Sequence, residues 1–116
     1  MITELKPNEI FVFGSNGIGA HAGGAAKTAH DKFGYPMGVS TGIVGQAYGI
    51  DTMGRKDKMI EDIGHFVQTA RCLPALTFYL TPIGQGIAGY SRDEILAILP
   101  DMPSNVIFTD DWNIIS

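Results

Sequence analysis

Apolar residues along the chain fall into blocks of two kinds that take turns. Short runs of β-forming residues, Glu9-Ile10-Phe11-Val12-Phe13 and Leu76-Thr77-Phe78-Tyr79-Leu80, lack polar alternation and predict strands covered on both faces. Longer blocks repeat at helical spacing. Ala22, Ala25, Ala26, Ala29 and Phe33 form one stripe, with Lys27, Asp31 and Lys32 elsewhere and Gly34 as the natural stop. Its small side chains imply close packing on a sheet. Met59, Ile60, Ile63, Phe66, Val67 and Ala70 form a second stripe, predicting a helix from about Lys56 to Arg71 with an i,i+4 pair between Lys58 and Asp62. Ser91-Arg92-Asp93-Glu94 is a capping box opening a third helix through Ile95, Leu96, Ile98 and Leu99, closed by Pro100 and Pro103. Weaker patterns give short strands at Met37-Gly38-Val39, Ala47 to Ile50 and Asn105 to Phe108. Strands alternating with helices predict one α/β domain over residues 1–116, with a mainly parallel sheet between helical layers.

Glycine changes this picture, because 15 of them in a chain without low-complexity repeats imply tight turns or loops that approach a ligand. They gather after the two buried strands. Thr81-Pro82-Ile83-Gly84-Gln85-Gly86-Ile87-Ala88-Gly89-Tyr90 follows one, and Gly14-Ser15-Asn16 through Gly23-Gly24 follows the other. Loops at the carboxyl ends of parallel strands are where such sheets bind ligands, and convergent backbone N–H groups suit an anion. Gly84-Gln85-Gly86-Ile87-Ala88-Gly89 matches G-x-G-x-x-G, with Asp110 and Asp111 about twenty residues on. A dinucleotide cofactor site normally places this motif in its first strand–helix unit, and fewer than 30 residues remain here. A general phosphate loop and a purely structural turn are therefore the competing readings. In the first loop, Asn16 has an amide suited to ribose hydroxyls, and His21 would hydrogen-bond or exchange a proton near neutral pH. Lys27 would meet a phosphate or face water. His30 and His65 lack partners at ligand spacing, so no metal site is expected.

Charge narrows the classes. A net charge of −4 without a basic cluster disfavours nucleic acid, and no apolar run approaches the length of a membrane span. The first residues lack the basic-then-apolar pattern of a signal peptide, and the single Cys72, read as a small core residue, cannot build a disulfide framework. A cytoplasmic location is the expectation.

The succession Phe11-Val12-Phe13-Gly14-Ser15-Asn16, Gly23-Gly24-Ala25-Ala26, Lys32-Phe33-Gly34, Gly45-Gln46-Ala47-Tyr48-Gly49-Ile50 and Pro82-Ile83-Gly84-Gln85-Gly86-Ile87-Ala88-Gly89 resembles the macrodomains over almost the whole chain. It is closest to their ADP-ribosyl-protein deglycosylase branch and to small macro-like proteins of bacteria and phages. The resemblance implies a three-layer α/β/α macro-like sandwich that binds ADP-ribose or another NAD-derived nucleotide. It also implies contacts from Ser15, Asn16, Gly23, Gly24 and Ala25, from Gly45 and Gln46, and from Ile83, Gly84, Gln85, Gly86, Ile87, Ala88, Gly89 and Tyr90. The diphosphate would lie at two helix N-termini, with Tyr90 or Tyr48 stacking on the base. The chain departs from the family where an adenine-binding aspartate would precede the first strand. It also has Ala88 and Ala25-Ala26 where catalytic aspartates stand in the family's hydrolases. Hydrolysis of an ADP-ribosylated macromolecule would then fall to His21 or Lys27, or to a water held by the substrate phosphate. The expectations are thus a cofactor-free nucleotide binder, or an ADP-ribosyl glycohydrolase, or a phage-type protein that sequesters an NAD-derived defence signal.

Overall fold

The computed structural model describes residues 2–16, 19, 23–86 and 88–113. One sheet of five strands organises them. Strand β1 (Glu9–Ser15) leads through helix α1 (Gly24–Phe33) to β2 (Gly42–Val44) and β3 (Ala47–Asp51). Helix α2 (Lys56–Cys72), β4 (Thr77–Leu80), α3 (Arg92–Ile98), β5 (Val106–Phe108) and a short 3-10 turn (Asp110–Asn113) follow. The spatial order is β2-β3-β1-β4-β5, and every neighbouring pair is parallel except β2 with β3.

The centre of that order explains the unbroken apolar run of β1. Ile10 and Val12 join Met59, Ile63, Phe66, Phe78 and Ile95 in a core beneath α2 and α3. Phe11 and Phe13 join Ala29, Phe33 and Tyr35 in a second core beneath α1. Phe11, Val12 and Phe13 are wholly buried. The small face of α1 is thereby explained, since Ala25, Ala26 and Ala29 let its backbone settle close to the phenylalanines. Tyr35 closes that layer. Burial pushes its phenol up to about 12, so it stays protonated and donates to the Gly42 carbonyl at 2.9 Å.

Several elements lie where the pattern puts them. Gly34 caps α1 in the left-handed region at φ 77°, and Ser91 and Glu94 form the reciprocal capping box of α3. Lys58 meets Asp62 at 3.2 Å. The expected strand at residues 37–39 is instead a turn, and the antiparallel strand starts at Gly42. Three other expectations fail. Cys72 is exposed, because α2 carries it two residues, about 200°, past the buried Ala70 and off the apolar stripe. Ile60 also faces outward. Tyr48 is buried, with its ring edge-on to Phe66 at 5.2 Å, and cannot stack on a ligand.

Candidate functional site

Strand order creates the site. From β1 the chain turns toward β3 by way of α1 on one face, whereas from β4 it turns toward β5 by way of α3 on the other. The loops leaving these adjacent strands therefore diverge, and a crevice opens between them at the carboxyl edge. A cavity of about 560 Å³ occupies it, within the range typical of small-molecule sites. Gly14, Ser15 and Asn16 form one wall and Gly23 to Ala26 another, while Thr81 to Gly84, Gly86 and Ala88 close it from β4. Thr52 and Met53, just past β3, complete the rim.

The two loops come into direct contact. A Cβ on Gly14 would stand 3.3 Å from the Gly84 nitrogen and 3.2 Å from Thr52 Oγ1. Thr52 N–H donates to the Ser15 carbonyl at 3.1 Å, and Thr81 donates to the Val12 carbonyl from its N–H at 3.1 Å and its hydroxyl at 2.7 Å. These bonds extend the ladder past the strand ends and fix the floor. Gly84 holds φ 73° because the chain must reverse there beneath Ile95.

Backbone N–H groups at the walls are in good supply. At the start of α1, Gly23 caps without a side chain, its carbonyl accepts from Lys27 N–H at 3.2 Å, and no acid lies in the first turn. The N–H groups of Gly24, Ala25 and Ala26 have no acceptor among the described residues, as expected of a first helical turn. Across the crevice, the carbonyls of Gly84 and Gly86 are taken by Tyr90 N–H at 2.9 Å and Gly89 N–H at 3.0 Å. The N–H groups of Gly84, Gly86 and Ala88 meet no acceptor among the described residues. Six donors thus come from residues that line one cavity, and the carbonyls of Gly23, Gly84 and Gly86 beside them are already engaged. No lining residue among those described carries a charge.

The second helix end expected at the site contributes little. Glu94 accepts from Ser91 N–H at 2.9 Å, and Ser91 Oγ from Glu94 N–H at 3.1 Å, so the N-terminus of α3 is occupied by its own residues.

Ser15, Asn16, Gly23, Gly24, Ala25, Ile83, Gly84, Gly86 and Ala88 come together as the sequence predicts. Gln85, Gly89 and Tyr90 belong to the same loop without lining the cavity; the Tyr90 ring packs toward Gly84 and the core. Gly45 and Gln46 are at the opposite edge of the sheet, ahead of β3. There Gln46 donates to the Lys6 carbonyl at 2.8 Å, and a Cβ on Gly45 would strike the Phe33 oxygen at 2.6 Å. Their role is to hold the β2–β3 turn against α1. Lys27 turns outward to Asp31, leaving no ammonium on the cavity wall. His21 and Ile87 lie outside the described residues. Thr52 and Met53 are additions, and the end of the weakly patterned third strand was the only hint of them.

Comparison with known protein families, curated proteins and solved structures finds no match to this chain.

Proposed function

We propose that the protein binds ADP-ribose or a related NAD-derived nucleotide in a macro-like fold, with the diphosphate held between the two glycine loops. One observation carries this reading: the backbone N–H groups of Gly24, Ala25, Ala26, Gly84, Gly86 and Ala88 have no acceptor among the described residues and belong to residues that line a single cavity, at the point where the strand order reverses. Backbone donors approach a phosphate closely only where side chains are minimal, which accounts for glycine and alanine at these positions. The free end of α1 adds roughly 0.3–1 kcal/mol toward an anion, up to ~2 kcal/mol when partly buried. With the contact area of a nucleoside, micromolar affinity, about −8 kcal/mol, is within reach.

Binding is favoured over hydrolysis. Among the described lining residues there is no carboxylate, imidazole or ammonium to serve as base or nucleophile at the anomeric carbon. A ligand present at about 100 times its dissociation constant adds about 2.7 kcal/mol of stability. The expected result is a raised melting temperature with ADP-ribose, confirmed by calorimetry. No heat and no shift at millimolar ADP-ribose would refute the reading.

A further inference from the structure

Ser15, Thr52 and Thr81 are three of the four polar or charged side chains buried among the described residues, and all three line the same cavity. Each is 3 to 6% exposed. Ser15 ends β1, Thr52 follows the last residue of β3, and Thr81 follows the last residue of β4. These are the three adjacent parallel strands at the centre of the sheet, so each delivers one hydroxyl to the cavity floor.

A hydroxyl has one proton to donate and two lone pairs that accept. Thr81 Oγ1 donates to the Val12 carbonyl at 2.7 Å, Thr52 Oγ1 to the Ser15 carbonyl at 3.4 Å, and Ser15 Oγ to the Ser40 carbonyl. What remains on each oxygen is acceptor capacity. The floor is therefore the chemical complement of the walls, which supply N–H donors.

The strand ends do not need the two threonine hydroxyls. The Val12 carbonyl already accepts from Thr81 N–H, and the Ser15 carbonyl from Thr52 N–H, each at 3.1 Å. Valine has nearly the same shape, would keep both backbone bonds and would bury no hydroxyl. Thr52 Oγ1 also stands beside the cradle. The point where a Cβ on Gly14 would lie is 3.2 Å from it and 3.3 Å from the Gly84 nitrogen, so an acceptor of the floor and a donor of the glycine loop face one open spot. A second anion placed on the floor would meet lone pairs with no proton to offer, and an alkyl group would strip water from the oxygens without replacing its hydrogen bonds. A group that donates satisfies them.

On the reading that the glycine loops hold a phosphate, we propose that Thr52 and Thr81 select what is attached to it: an uncharged group bearing hydroxyls, a polyol or sugar, which donates to their oxygens. Both threonines are specificity-determining residues of the cavity floor, separate from the backbone that holds the anion.

Calorimetry on the full chain with ADP-ribose and with inorganic pyrophosphate, which has no polyol, separates floor from cradle. Thr81→Val and Thr52→Val should each weaken ADP-ribose about tenfold and change pyrophosphate less than about twofold. Thr81→Ser and Thr52→Ser keep the hydroxyl and should hold both ligands within about twofold of the native chain. A second comparison needs no variant. Glycerol 3-phosphate should bind the native chain about tenfold more tightly than propyl phosphate, which has the same charge and carbon count without the hydroxyls. Equal binding of those two esters, or valine variants that weaken ADP-ribose and pyrophosphate alike or weaken neither, overturns the hydroxyl-reading floor while the phosphate cradle stands. Failure of all four probes to bind the native chain overturns both.

Discussion

The indole N–H of Trp112 donates to the Leu80 carbonyl at 2.7 Å, with both residues buried. That bond joins the end of the chain's last described turn to the strand that launches the glycine loop. Trp112→Phe keeps most of the ring packing and deletes the donor. Leu80 still accepts from Thr109, so its carbonyl is not stranded. The expected loss is about 1 kcal/mol in urea unfolding, whereas Trp112→Ala, which also empties the ring site, should cost about 3–5 kcal/mol. Equal losses would mean that the hydrogen bond contributes nothing.

Gly14 and Gly84 offer two ways of filling the crevice. Gly84→Ala places a Cβ 2.9 Å from Ile95 Cδ1 at φ 73°, so the residue is strained in its backbone as well as crowded. A loss of about 1–3 kcal/mol is expected, together with weaker ligand binding. Gly14→Ala has no positive φ to pay for, and its Cβ would lie between Thr52 and the Gly84 nitrogen. It should leave stability within about 1 kcal/mol of the native chain while lowering ADP-ribose affinity about tenfold or more. Thermal unfolding and calorimetry on the same samples separate the two effects; a Gly14→Ala chain that binds normally would show that the loops do not hold the ligand between them.

Central strands, helices and both loops were legible because each rests on a strong local rule. Unbroken β-forming runs mark β1 and β4, and Ser91 with Glu94 marks α3. Convergence of the loops followed from topology once β1 and β4 were read as parallel. What could not be read depends on tertiary neighbours. Gly45 and Gln46 look like ligand contacts in a one-dimensional pattern, and only the packing of the β2–β3 turn on Phe33 shows their structural use. The side of α2 on which Cys72 falls is set by the rotation of about 200° over the two residues from the buried Ala70, which an adjacent apolar residue does not reveal. Glu94 has the same ambiguity at the α3 terminus. As a cap it is readable, but that it saturates a helix end otherwise suited to an anion is clear only from both hydrogen bonds.

Lys27 tests the division between donors and charges. Its ammonium pairs with Asp31 on the outer face of α1, and both side chains are about half exposed. Such an i,i+4 pair contributes about 0.3–0.5 kcal/mol. Lys27→Ala should therefore reduce stability by no more than that and change ADP-ribose affinity less than about twofold. A tenfold loss of affinity would place the ammonium at the phosphate and redraw the site.

The capping box of α3 has a pH signature. The Ser91 N–H, and then its hydroxyl, hold the Glu94 carboxyl below its ordinary value. A depressed folded-state pKa contributes stability that is present above the unfolded value and disappears as pH falls through the folded one. Glu9, Asp31 and Asp57 are shifted in the same direction by hydrogen bonds from Lys6, Lys27 and Arg55. The melting temperature should accordingly fall between about pH 5 and pH 3. Glu94→Gln keeps the capping geometry without the ionisation, so its deficit relative to the native chain should shrink across that window. A constant deficit would mean that the carboxylate's charge plays no part. Ser91→Ala, by contrast, removes the cap at every pH, for about 1 kcal/mol.

Ala26 gives the most direct separation of stability from binding. It lies in the first turn of α1 on the cavity wall, and that turn contains no acid. A carboxylate there complements the helix dipole by about 0.3–1 kcal/mol, set against its weaker helix preference and the partial burial of Ala26 beside the core under α1, so Ala26→Asp should cost no more than about 1 kcal/mol. The same carboxylate would occupy the donors proposed for the phosphate and repel a second anion. The variant should fold at least nearly as well as the native chain yet lose the ADP-ribose-induced rise in melting temperature. Retention of that rise would mean that the anion is held elsewhere, whereas loss of both folding and binding would mean that Ala26 is needed for the close approach of α1 to β1. Ala26→Ser, which adds a hydroxyl of similar size and no charge, distinguishes these outcomes because it should preserve both.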